Sequence, residues 1–124
     1  MARDFTELVA WQLSRELKNG VYALVKRPTI ARDFGFVQQI TDAAASAPRN
    51  IAEGFGRFNR KEFAQFLKIA IASEQEVRNH YIDAFDRGYV TAGEREEGTR
   101  IAARAIGAAT RLRQYLLSNR NPYD

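Results

Sequence analysis

Residues 33–58 read DFGFVQQITDAAASAPRNIAEGFGRF, and this stretch decides the fold. At 100° per residue, Phe36, Ile40, Ala43, Ala47, Ile51, Gly54 and Phe58 fall within one narrow arc, which predicts an amphipathic helix over about 33–58. Ala43, Ala47 and Gly54 are small, so another helix can approach this one closely. Pro48 lies inside the same stretch. Its missing N–H removes the hydrogen bond to Ala44 and predicts a bend.

On the N-terminal side, Phe5, Leu8, Trp11, Leu17, Val21, Leu24 and Val25 recur at helical spacing. They predict a first helix over about 5–27 that continues in phase across Asn19-Gly20, with Trp11 in or beside the core and Pro28 as a stop. On the C-terminal side, Asn59-x-x-Glu62 reads as an Asn form of the capping box and opens a helix over about 60–87. Phe63, Phe66, Leu67, Ala70, Val77, Tyr81, Ala84 and Phe85 form its seam, and Arg87-Gly88 ends it. Ile69, Ile71 and Ile82 fall outside that seam, which makes them candidates for contact with another subunit. Glu74 falls on the seam, so it is either buried with a partner or at an interface. Thr91-Ala92-Gly93-Glu94 is a capping box for a fourth helix over about 92–118, which turns Ile101, Ala105, Ala108, Ala109, Leu112 and Leu116 inward. The tail, Asn119 to Asp124, reads as loose. Four helices with short connections predict an all-α, up-down antiparallel four-helix bundle, with residues 1–124 as one domain.

Composition agrees with a single globular domain: 124 residues, 45% hydrophobic and 27% charged. The chain has no Cys, which excludes disulfides, thiolate metal sites and thiol nucleophiles. The opening Met-Ala-Arg-Asp-Phe lacks the pattern of a secretion signal, and apolar runs are far short of a membrane span. These features predict a soluble cytoplasmic protein with no membrane partner.

Catalytic constellations are nearly absent. His80 is the only histidine and is expected on the surface, with no second histidine to form a metal pair. Gly54-Phe55-Gly56-Arg57 lacks the spacing and the Lys-Ser/Thr pair of a phosphate loop and reads as a helix end. The reading therefore assigns no catalytic, cofactor-binding or metal residue, no cofactor and no enzymatic activity. A polar stripe, Gln39, Ser46, Asn50, Glu53 and Arg57, borders the small-residue seam of the second helix. It reads first as a hydrogen-bonded network that sets helix register or a subunit contact, and second as a pocket or a nucleic-acid contact.

The net charge is +4, with the bases concentrated in residues 49–69 and 98–124 and the acids in 70–97. On the fourth helix Arg100, Arg104 and Arg111 fall in one outward line, with Arg113 on the same helix. Arg57, Arg60 and Lys61 form a second cluster at the turn between the second and third helices. Arginines on rigid helices suit phosphate, so these seven are the nucleic-acid-binding candidates. No base-reading motif accompanies them.

The run Ser46-Ala47-Pro48-Arg49-Asn50-Ile51-Ala52-Glu53-Gly54 resembles a family signature, S-x-P-x-N-I-A-E-G. The family comprises small four-helix-bundle proteins encoded in intervening sequences of bacterial 23S ribosomal RNA genes (S23). Phe5-x-x-Leu8-x-x-Trp11, Phe34-Gly35-Phe36, Gln39-Ile40, Phe63-x-x-Phe66-Leu67-x-x-Ala70-x-x-Ser73-x-x-Glu76 and Gly88-Tyr89 extend the resemblance over nearly the whole chain. The chain departs from it at two places: Thr41-Asp42 stands where the family has bases, and Glu74 where it has Leu. The resemblance implies a ring-shaped homo-oligomer, with a pentamer as the first count. It is also to accessory proteins of diversity-generating retroelements, which bind a reverse transcriptase and nucleic acid. Two functions follow as expectations: an RNA-binding accessory scaffold, or an interaction subunit that docks a partner enzyme such as a reverse transcriptase.

Overall fold

A computed structural model describes residues 2–118. The tail from Asn119 to Asp124 lies outside these residues. Every regular element among them is helical: a short 3-10 turn at Phe5–Glu7, then α1 (Val9–Leu24), α2 (Pro28–Ala31), α3 (Phe34–Phe55), α4 (Arg60–Asp86) and α5 (Ala92–Leu117). Of the four long helices, α1 packs on α3 and α5, and α4 packs on α3 and α5.

The first expected helix, 5–27, is broken at both ends. Leu8 is extended (φ −74°, ψ 127°), so α1 starts at Val9. In one continuous helix Phe5 and Trp11 would lie about 120° apart. The break folds Phe5 back onto the Trp11 ring, edge to face with centroids 5.3 Å apart. At the other end Arg27 is extended because it precedes a proline. Pro28 does more than stop a helix. It takes the first position of α2, where its missing N–H is not needed, and α2 buries Ile30 completely.

The second expected helix, 33–58, ends at Phe55, with Gly56 as its C-cap, and it runs unbroken through Pro48, which is buried. The turn to α4 then places Phe58 in the left-handed region, φ +53°, the only described non-glycine residue with positive φ. The wheel that put Phe58 on the core arc therefore fails there: the helix has stopped, and the ring points to solvent, 89% exposed. Asn59 caps α4 by accepting from the Glu62 N–H at 2.9 Å. Thr91 and Glu94 cap α5 reciprocally, at 3.1 and 2.9 Å. Gly88, φ +77°, closes α4, and the Tyr89 N–H reaches back to the Ala84 carbonyl at 2.8 Å.

The core is divided. One apolar cluster holds Leu17, Val21, Ile40, Val77, Tyr81 and Ala102 among others; the second holds Ala10, Ile51, Phe63, Leu67, Ala70 and Ala109. Trp11 is partly buried against the second. Along α1 and α4 the changeover falls at Ser14 and at Glu74, two polar residues with no solvent exposure. The buried seam of α4, Phe63-Leu67-Ala70-Glu74-Val77-Tyr81-Ala84, advances by alternating fours and threes, so Glu74 occupies a core position of a heptad.

Candidate nucleic-acid interface

Three helical surfaces carry the residues of interest: the outward face of α5, the α3–α4 turn and the flanks of α4. On α5, Arg100, Arg104 and Arg111 are all exposed. They are not equivalent. Arg100 grips Glu97 through two hydrogen bonds, 3.1 and 2.7 Å. That contact, with the added charge of Arg104, holds the Glu97 carboxyl below its usual range. Arg104 and Arg111 make no salt bridge among the described residues, and Arg111 lies back along α5 across Gly107, whose missing side chain leaves room for the guanidinium. Arg113 is half-buried and its Nε has no hydrogen-bond partner among the described residues, so it is set apart from the outward line.

At the α3–α4 turn, Arg60 is already engaged. Its Nη2 and Nε donate to the carbonyl oxygens of Tyr115 and Leu116, at 2.8 and 3.2 Å, and its guanidinium lies 5.0 Å from the Tyr115 ring centre. This satisfies carbonyls that the end of α5 leaves open and ties α5 to the start of α4. Arg57 pairs with Glu53 at 3.0 Å and lies over the Phe66 ring at 5.1 Å. Lys61 is exposed, with no ion pair among the described residues.

The polar stripe of α3 falls into separate pieces. The Asn50 amide donates to the Ser46 carbonyl at 2.8 Å and to Ser46 Oγ at 3.0 Å, while Ser73 Oγ on α4 donates to the same Ser46 Oγ at 2.9 Å. Gln39 is exposed and outside this network. Gly54 accounts for the close approach: a Cβ there would fall 2.7 Å from the Phe66 Cβ and 2.8 Å from a Phe63 ring carbon. Ser46, Ile51 and Gly54 of the signature run thus meet α4 directly, and Glu53 meets it through Arg57.

On α4, Ile69 and Ile82 are exposed, 49% and 40%, whereas Ile71 packs on the second core cluster of its own chain. The two exposed isoleucines are thirteen positions apart, about 140° around the helix, so they lie on opposite flanks.

Two polar residues of α4 are placed differently from expectation. His80 is buried, not on the surface: it lies beside the α4 seam, next to Tyr81, its ring meets Phe36 edge to face at 6.1 Å, and its Nε2 has no hydrogen-bond partner among the described residues. Glu74 is buried, and neither carboxylate oxygen has a hydrogen-bond partner among the described residues. Burial alone raises its pKa to about 8, so it is mostly neutral at pH 7. Two residues that the sequence reading turned inward are exposed: Phe85, which leaves the α4 seam and lies under the Arg95 guanidinium at 4.3 Å, and Phe58. The signal for Phe58 was the helix end at Gly56, after which the 100° wheel no longer applies.

Two shallow grooves flank α1. One of about 470 Å³ runs beside Arg27, Tyr81, Glu94 and Gly98; the other, about 340 Å³, is lined by Leu8, Val9, Ala108, Arg111 and Leu112 among others. Across the first, Arg27 and Glu94 form an ion pair that lowers the Glu94 pKa. Among the described residues no group of three or more acids or histidines could hold a metal ion, and no helix is long and apolar enough to cross a membrane.

A family model described as the 23S rRNA-intervening sequence protein matches residues 6–108, a span that runs from the turn before α1 into α5. No curated protein matches the chain.

Proposed function

The chain belongs to the 23S rRNA-intervening sequence protein family, and from that premise we propose a non-enzymatic RNA-binding accessory scaffold that acts through phosphate. The carrying observation is the outward face of α5, where Arg104 and Arg111 make no salt bridge among the described residues, on a helix that has no acid after Glu97. In this reading the four long helices form an up-down bundle, and copies assemble into a closed ring, with a pentamer as the first count. The opposed flanks of Ile69 and Ile82 favour a ring. A cyclic assembly joins one patch of each subunit to a different patch of the next, and two flanks supply the two patches. Repetition around the ring multiplies weak phosphate contacts. An RNA partner places the activity in the cytoplasm.

Filter binding tests the proposal. Affinity for RNA should fall steeply between roughly 50 and 200 mM salt, because each neutralised phosphate releases about 0.7–0.9 of a counterion. Changing Arg100, Arg104 and Arg111 together to Gln should flatten the slope, with most of the effect from Arg104 and Arg111. Light scattering on the purified protein tests assembly; a single 14.1 kDa species refutes the ring. The competing reading, a subunit that docks a partner enzyme such as a reverse transcriptase, draws on Phe34, 80% exposed at the start of α3. It gains if RNA does not bind at low salt.

A further inference from the structure

Phe58 stabilises the fold neither through its ring nor through its backbone. The ring is almost wholly in water, and the left-handed backbone is one that a bulky side chain adopts only against steric resistance. Gly56, two residues earlier, could adopt that conformation freely but is right-handed, φ −71°. The turn thus exposes a large flat ring where Asn or Gly would serve with less strain, and strain at an exposed residue points to function. The ring is also rooted. Phe58 stands 6.5 Å from Phe55, which meets the buried Phe63 edge to face at 6.2 Å. The bases nearest it in the chain are Arg57, which pairs with Glu53 at the surface and can exchange it for phosphate, Arg60, which the end of α5 holds, and the exposed Lys61.

We propose that Phe58 is a stacking platform for an unpaired base of single-stranded RNA, with Arg57 and Lys61 taking the flanking phosphates. The proposal rests on the RNA-binding reading above and supplies what the α5 arginines lack, a contact to the base itself. An exposed aromatic ring beside bases suits single strands because every base has a face to stack, so recognition is tolerant of sequence. A duplex, whose bases are already stacked, gains nothing from the ring.

The test measures binding of single-stranded and duplex RNA by the full chain and by Phe58→Gly, Phe58→Trp and Lys61→Gln. Phe58→Gly should bind single strands roughly 5- to 100-fold more weakly, the loss expected of one stacked base. Its thermal midpoint should hold or rise, because glycine accepts the left-handed backbone. Duplex binding and the salt slope should not change. Phe58→Trp should retain affinity, and Lys61→Gln should reduce the salt slope for single strands. If Phe58→Gly binds single strands as the natural chain does, the platform is refuted and the phosphate reading stands. If the natural chain binds no RNA at roughly 50 mM salt, both readings fall, and the ring is left to a protein partner.

Discussion

Helix α4 meets α3 on one side and α5 on the other, and the two contacts are built from different materials. Against α3 the contact is marked in the sequence. Ser46 bonds across to Ser73, Ile51 is buried, and Gly54 admits Phe63 and Phe66. On the α5 side, the buried residues of a helix that packs on both α4 and α1 are Gly98 and a row of alanines, Ala102, Ala105, Ala108 and Ala109. Here Gly98 admits the Tyr81 ring, whose carbons lie 2.3–2.5 Å from where a Cβ would stand. Each side thus uses one glycine as a slot for aromatic side chains of α4. A motif can advertise one such slot while alanines, good helix formers anywhere, conceal the other.

The comparison breaks most sharply at Gly98. Gly98→Ala should destabilise by about 3 kcal/mol in denaturant unfolding, because the new methyl displaces a buried ring and overpacking outweighs the helix propensity gained. Gly54→Ala should cost about 2 kcal/mol: the Phe63 ring can turn, but the Phe66 Cβ is fixed to α4, so the helices themselves must move apart slightly. If Gly54→Ala proves the more harmful, the marked contact is the more rigid one.

Glu74 lies in the seam between these contacts, and its effect should appear as a pH dependence. Its folded pKa, about 8, is raised above the ordinary 4.5, so the folded state holds a proton that the unfolded state releases between those values. The contribution of this group should therefore be fully present below about pH 4.5 and decline as pH rises towards 8, by at most about 1.4 kcal/mol per unit. Glu74→Gln should abolish that component. Glu74→Leu should stabilise at pH 8 by about 1–2 kcal/mol, since an apolar side chain replaces a buried group that has no hydrogen-bond partner among the described residues. Urea midpoints across pH 5–9 check all three.

Smaller effects test the polar links. Arg60→Ala should destabilise by about 1 kcal/mol, because it frees the Tyr115 and Leu116 carbonyls; hydrogen exchange at the last turn of α5 should quicken while α3 stays protected. Asn50→Leu should destabilise by about 0.5–1 kcal/mol, since Asn50 bonds only within α3 and Ser73 still holds Ser46. A larger loss would mean that the stripe acts as one network.

The sequence by itself determined the helical class, the caps at Asn59 and Thr91, the small-residue face of α3 and the run of bases on α5. Each is a local matter of period, cap chemistry or composition. It also marked Glu74 as out of place on its seam. Only the tertiary structure decided where helical periodicity stops applying. Leu8 breaks the first helix so that Phe5 can reach Trp11. The end of α3 at Phe55 turns Phe58 outward although its wheel position faced the core. Packing also decided which charges are already occupied. Arg60 is held by carbonyls more than fifty residues away, Arg100 by Glu97 one turn before it, and His80 and Glu74 are enclosed by helices that the spacing of α4 alone does not place. The physical reason is range: caps and periods act within a few residues, whereas burial and hydrogen-bond satisfaction depend on whatever distant segment arrives alongside.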